Sequence, residues 1–154
     1  MRQRFHVVAA LVGAVMLPLA AWGAMVESKV PSVVVQEVLI KTCLLTLNDA
    51  NITGNYTVLH AKLAKPFREQ FNAERLKRTF KVFSDKKIDY GIIVTRPAIP
   101  SSESKIDERG ALILRGYFDT RPSRVVYKLD FIASDGEWKP IRINVNVEPV
   151  NEKQ

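Results

Sequence analysis

Apolar and polar residues alternate over most of residues 110–147. In 137–147, Ile141, Ile143, Val145 and Val147 share one parity, and Arg142, Asn144 and Asn146 the other. Strand side chains point to opposite faces in turn, so this pattern predicts a strand with one buried and one wetter face. Residues 124–133 set Val125, Tyr127, Leu129, Phe131 and Ala133 against Arg124, Val126, Lys128, Asp130 and Ile132. Residues 111–118 set Leu112, Leu114 and Phe118 against Ile113, Arg115 and Tyr117. Ser134-Asp135-Gly136-Glu137 places Asp-Gly between two alternating runs, a hairpin signal because both residues tolerate positive φ. Asp119-Thr120-Arg121-Pro122-Ser123 and Asp107-Glu108-Arg109-Gly110 are further turns. The prediction is an antiparallel meander of three strands.

Upstream the period changes. Residues 33–47 are apolar nearly all round and too long for a typical strand, which predicts a helix buried on most faces and capped by Ser32. The short polar side chains of Asn48-Asp49-Ala50-Asn51 are expected to end it. Tyr56, Leu59, His60 and Leu63 fall on one stripe of a second helix, and Pro66 opens a turn carrying Phe67 and Phe71. Asn72 is expected to cap a third helix over 73–84, with Leu76, Phe80 and Phe83 facing inward. Residues 90–99 read as a first strand through Gly91-Ile92-Ile93-Val94-Thr95, closed by Pro97 and Pro100. Residues 101–104 read as a polar loop, with a short pairing at Lys105-Ile106. The order predicts an α+β fold: three N-terminal helices packed on one face of a curved, mostly antiparallel sheet.

The N-terminus stands apart. Met1-Arg2-Gln3-Arg4 is basic, residues 5–20 are apolar apart from His6, and small residues at Ala21 and Gly23 suit a signal peptidase. The expected organisation is a signal peptide over 1–23, a linker over 24–31, one domain over 32–148 and a tail over 149–154. The address is therefore exported, periplasmic or secreted. A membrane enters only if the first segment is kept as an anchor. Its apolar run is shorter than the roughly 20 residues of a spanning helix.

Charge and cysteine usage narrow the classes. The formal charge is +7, and losing Arg2 and Arg4 with no acid leaves +5. That is a solvated, modestly basic surface. Basic residues near 75–87 lack the interleaved aromatics or Gly-rich loop of a nucleic-acid or phosphate site, so nucleic acid is disfavoured. Cys43 is the single cysteine, which excludes an intramolecular disulfide and suits a small buried hydrophobe. With His6 in the leader, the mature chain holds one His and one Cys, so no metal or other cofactor is expected.

Element order and local sequence together resemble the nuclear transport factor 2-like superfamily. The residues that carry the resemblance are Tyr56-Thr57-Val58-Leu59-His60, Pro66-Phe67-Arg68-Glu69-Gln70-Phe71 and the closing run from Asp135-Gly136-Glu137-Trp138 to Val145. It spans residues 33–147 and implies a cone-shaped fold with a pocket between the concave sheet face and the helices. It also implies frequent sheet-to-sheet dimers. Superfamily members include enzymes, transport adaptors and secretion-system subunits, so the fold licenses no single activity.

The expected concave face carries Leu112, Leu114, Tyr127, Leu129, Phe131, Ile141, Ile143 and Val145. It holds no carboxylate to shuttle a proton, and Asp130 falls on the other face, so no catalytic residue is assigned. Tyr56, His60 and Tyr127 are the candidate lining of a pocket for a small apolar ligand. On the outer face Tyr117, Val126, Trp138 and Arg142 have the composition of an interface, and a homodimer through that face is expected. The reading is an exported, non-catalytic binding or assembly domain. The alternatives are a small-molecule carrier or an isomerase- or dehydratase-like enzyme using the cone, and a membrane-anchored subunit of an envelope or secretion complex.

Overall fold

The computed structural model of the chain describes residues 7–12 and 29–150. The leader expected over 1–23 and the linker after it lie mostly outside the described residues, as does most of the tail. Strand β1 (Val7–Val12) comes first, followed by helices α1 (Val33–Thr53), α2 (Thr57–Lys62), α3 (Lys65–Gln70), α4 (Ala73–Thr79) and α5 (Lys81–Asp85). A 3-10 turn (Gly91–Thr95) leads to short strands β2 (Ile99–Pro100) and β3 (Lys105–Ile106), then β4 (Leu112–Phe118), β5 (Ser123–Ser134) and β6 (Glu137–Pro149). All pairings are antiparallel, in the order β1-β6-β5-β4-β2, with β3 also on β4. The fold is α+β. Its described helices number five where three were expected, because the turn expected at Pro66 is a helix of its own and the expected third helix divides in two.

The meander forms as its alternation requires. Asp135 and Gly136 both take positive φ at the β5–β6 turn. Leu112, Leu114, Phe118, Val125, Tyr127, Leu129, Phe131, Ile143 and Val145 are buried in one cluster with Leu44, Leu47, Leu59, Phe67, Leu76, Phe80 and Phe83 of the helices. Each such side chain contributes about 1.5–3 kcal/mol by leaving water. The helices therefore cover one sheet face.

Helix α1 departs from expectation at both ends. It runs through Asn48 and Asn51 to a left-handed cap at Gly54. Both asparagines are buried; the Asn48 side chain bonds across the fold, and that of Asn51 bonds to Tyr56 just beyond the helix, instead of back to their own backbone. Asn48 Oδ1 accepts from Tyr90 N at 3.0 Å, while its Nδ2 donates to Asp89 Oδ1 at 2.9 Å. Asn51 Oδ1 accepts from the Tyr56 hydroxyl. At the start, capped by Ser32 as expected, the helix is not buried: Val33 and Val34 are 77% and 73% exposed, and Val35 and Val38 are exposed too. The valines on the outer side of its first two turns thus stay open to water, while Gln36, Glu37 and Leu39 are half-buried.

Two further expectations are corrected. Residues 91–95 are not a strand. Asp89 Oδ1 accepts from Gly91 N at 2.8 Å, and Ile93 N and Arg96 N close tight turns onto Tyr90 and Ile93 carbonyls. Ile93 is buried, with Ile92 and Val94 outside. The second correction is a bulge in β6. Asp130 pairs with Arg142 but Phe131 with Pro140, leaving Ile141 as an extra residue. Parity reverses there. Pro140 is buried while Ile141 is only half-buried, and Trp138 packs against the core instead of joining the outer face. Trp138 lines a hollow with Leu39, Cys43, Leu59 and Phe131, so it leaves the set expected for a dimer surface.

Candidate functional site

Two features offer chemistry: a cleft at the start of α1 and the sheet face turned away from the helices. The cleft has a volume of about 560 Å³. Its walls are Val33, Gln36, Glu37 and Ile40 of α1, the loop from Ala98 to Ser104, and Leu114 and Tyr127 of the sheet. Gly116 makes room for Tyr127. The two residues are paired across β4 and β5, and a Cβ at 116 would overlap the Tyr127 ring and the Ile99 carbonyl.

Polar groups converge on this cleft. Ser104 Oγ donates to Gln36 Oε1 at 2.6 Å, and Gln36 Nε2 donates to the Pro31 carbonyl at 2.8 Å, which fixes the loop against the helix. Burial, and secondarily the Glu37 charge, push the Tyr127 phenol up to about 12. It stays a neutral donor at any physiological pH. Glu37 is paired with Lys41 at 2.7 Å one turn on, and Lys41 also donates to the Val94 carbonyl at 3.3 Å. The cleft can thus donate a hydrogen bond to a ligand oxygen from Tyr127 beside an apolar wall.

Of the residues expected to line a pocket, Tyr127 is in this cleft and Tyr56 and His60 are not among its lining residues. Tyr56 is buried with its hydroxyl on Asn51, and burial raises its phenol pKa. His60 Nε2 donates to the Arg68 carbonyl at 3.1 Å and ties α2 to α3. Sequence reasoning passed over Gln36 and Glu37. Their signal was present: two adjacent polar residues interrupt a run of valines, with Lys41 one turn on from Glu37. Among the described residues, no group of three or more His, Cys, Asp or Glu could hold a metal ion, and no helix is long and apolar enough to cross a membrane.

The outer sheet face is organised by Asp130. Its side chain is 3% exposed, with Oδ1 2.6 Å from Arg115 Nη2 and Oδ2 3.2 Å from Arg142 Nε. Arg115 also donates from Nη1 to the Leu114 and Leu129 carbonyls at 2.9 and 2.7 Å. One carboxylate therefore holds two guanidinium groups flat on neighbouring strands, a charge-assisted arrangement. Arg124 stacks over the Tyr117 ring at 4.3 Å, and Tyr117 pairs with Val126, which pairs with Asn146. Exposed Lys128 lies between Arg115 and Asn144 in the register. Tyr117, Val126 and Arg142 thus share one surface.

No protein-family model, curated protein or solved structure matches this chain.

Proposed function

We propose that this chain is an exported, non-catalytic binding or assembly domain whose outer sheet face meets an acidic partner surface. The observation that carries this is the arginine pair held by Asp130. Around it, Lys128 and Arg124 add positive charge and Ile113, Tyr117, Val126 and Ile132 add half-buried apolar area. Arg and aromatic groups on a flat, pre-ordered face are what protein interfaces use. In this reading the helices and sheet form the cone of a nuclear transport factor 2-like domain, with the cleft at its mouth.

A homodimer through the same face is the second reading, favoured by its apolar residues. Two copies face to face set Arg115, Lys128 and Arg142 against the same cations, which disfavours close contact at low salt. Ionic strength separates the two readings with opposite signs. Acidic-partner binding, probed with a polyglutamate peptide on the purified chain, weakens with salt and falls at least tenfold in Lys128→Glu. Self-association, followed by sedimentation, strengthens with salt. Polyglutamate binding indifferent to both salt and Lys128→Glu would sink the first reading.

The cleft supports a small-molecule carrier or an isomerase-like enzyme as the alternative, on the ground that Tyr127 and Glu37 both line it. Tyr127→Phe would then weaken ligand binding with little loss of fold. Export itself is tested by N-terminal sequencing. A start at Ala24 supports it, and a retained residue 1 favours a membrane-anchored subunit.

A further inference from the structure

On one side β6 bonds to β5 along its length. Its other edge has two covers. At Pro140 the carbonyl accepts from Ala64 N at 3.1 Å, so the α2–α3 junction closes that end. Over residues 142–147 the cover is β1, antiparallel, with Val12 opposite Arg142 and Val7 opposite Val147. β1 also lies against α4 and α5. The place beside residues 142–147 is thus filled by one extended strand, which α4 and α5 also approach.

The acceptor edge itself is unguarded. Natural sheets blunt an open edge with proline, bulges or inward charges. Residues 142–147 contain no proline and turn Ile143, Val145 and Val147 toward the helices. Pro140 and Pro149 stand outside this stretch and limit ladder pairing to it.

From this we infer that the slot beside β6 is a strand-acceptor site, which takes an extended segment of about six residues antiparallel to β6 by main-chain hydrogen bonding. Residues 7–12 are its resident occupant and can be exchanged. Apolar residues are expected opposite Ile143, Val145 and Val147, because those three β6 side chains face the core. Positions opposite Arg142, Asn144 and Asn146 admit small or polar ones. In this chain the first set is Leu11, Ala9 and Val7, and the second Val12, Ala10 and Val8. The inference is independent of the outer-face reading and meets the export reading at one point: cleavage after Gly23 removes β1 and leaves the slot to a strand of another polypeptide.

The test uses the intact chain. Ala10→Cys with Asn144→Cys, opposite in register, is expected to form an intramolecular disulfide under mild oxidation, whereas Ala10→Cys with Lys128→Cys, one strand further, is not. Next, Ala9→Pro/Ala10→Pro is made; consecutive prolines remove a ladder donor whichever parity faces β6. A fluorescent peptide of residues 4–13 should bind this variant one to one and slow amide exchange over 142–147. The same peptide with both prolines should bind at least tenfold more weakly. Should the double-proline chain fail to fold, a peptide with Cys in place of Ala10 is offered to the intact Asn144→Cys chain, where a mixed disulfide supports exchange and its absence overturns it. Failure of the first disulfide, peptide binding blind to proline, or dimerisation of the vacated chain instead of peptide uptake each overturns the inference. N-terminal sequencing decides the export reading separately.

Discussion

Asp130 Oδ1 and Arg115 Nη2 sit 2.6 Å apart on the side of the sheet away from the helices, with the carboxylate almost sealed from water. Its other oxygen faces Arg142, whose side chain is 37% exposed. The three residues form one unit, but water reaches its members unequally. Breaking a buried pair strands a charge, whereas losing an exposed partner is nearly neutral. Asp130→Ala is expected to lower stability by about 2–4 kcal/mol, and Arg142→Ala by about 0–1 kcal/mol. Urea denaturation of the two variants checks the order. Equal losses would show that the carboxylate does not organise this face.

Gly116 is where β4 passes the Tyr127 ring. Gly116→Ala forces a Cβ against both that ring and the Ile99 carbonyl, and should destabilise by about 1–3 kcal/mol. Tyr127→Phe removes the hydroxyl but not the β2 backbone, so the double variant should recover only part of the loss. A thermal-melt double-mutant cycle measures this coupling. Strict additivity would mean that the two side chains do not share the space.

Cys43 is buried, and burial pushes its thiol up to about 12 from 9.0, while Tyr127 rises to about 12 from 10.0. Both groups are neutral in the fold and lose a proton first in the unfolded chain. Their contribution is fully present below pH 9 and is lost as pH rises toward 12, at most about 1.4 kcal/mol per pH unit for the thiol. The melting temperature should fall across this range, and less steeply in Cys43→Ala. At pH 8 the native thiol should ignore Ellman's reagent until the chain unfolds. Fast native labelling contradicts the burial.

Val34 and Val38 lie one turn apart on the uncovered start of α1. Val34→Lys/Val38→Lys should change unfolding free energy by less than about 0.5 kcal/mol, because neither side chain contributes to the core. Retention on a phenyl matrix should drop. A large loss of stability would place these valines in a contact within the folded chain.

The central strands were legible because their alternation is dense and Asp135-Gly136 suits a turn with positive φ. The caps at Ser32 and Asn72 were legible for a related reason: a short oxygen-bearing side chain just before a helical period satisfies its first free N–H groups. The 3-10 turn was not. Gly91-Ile92-Ile93-Val94-Thr95 has strand composition, and only Asp89, held by Asn48 from α1, starts the turn. Of the candidate cleft, Tyr127 could be read from parity. Glu37 and the loop around Ser101 could not, because their meeting depends on where α1 crosses the sheet.

The residue pattern by itself determined the meander, its buried parity and the placement of the helices on one face, since these follow from period and from the transfer of apolar side chains out of water. Only the tertiary structure decided which parity survives past Ile141, where one extra residue turns Trp138 inward. It also decided that Asn48 and Asn51 extend a helix instead of ending it, and that β1 lies along the edge of β6. Asn48 meets Asp89 and Tyr90 and β6 meets β1 only once the chain is packed. A local pattern specifies which groups need partners, and the packed fold selects among those within reach.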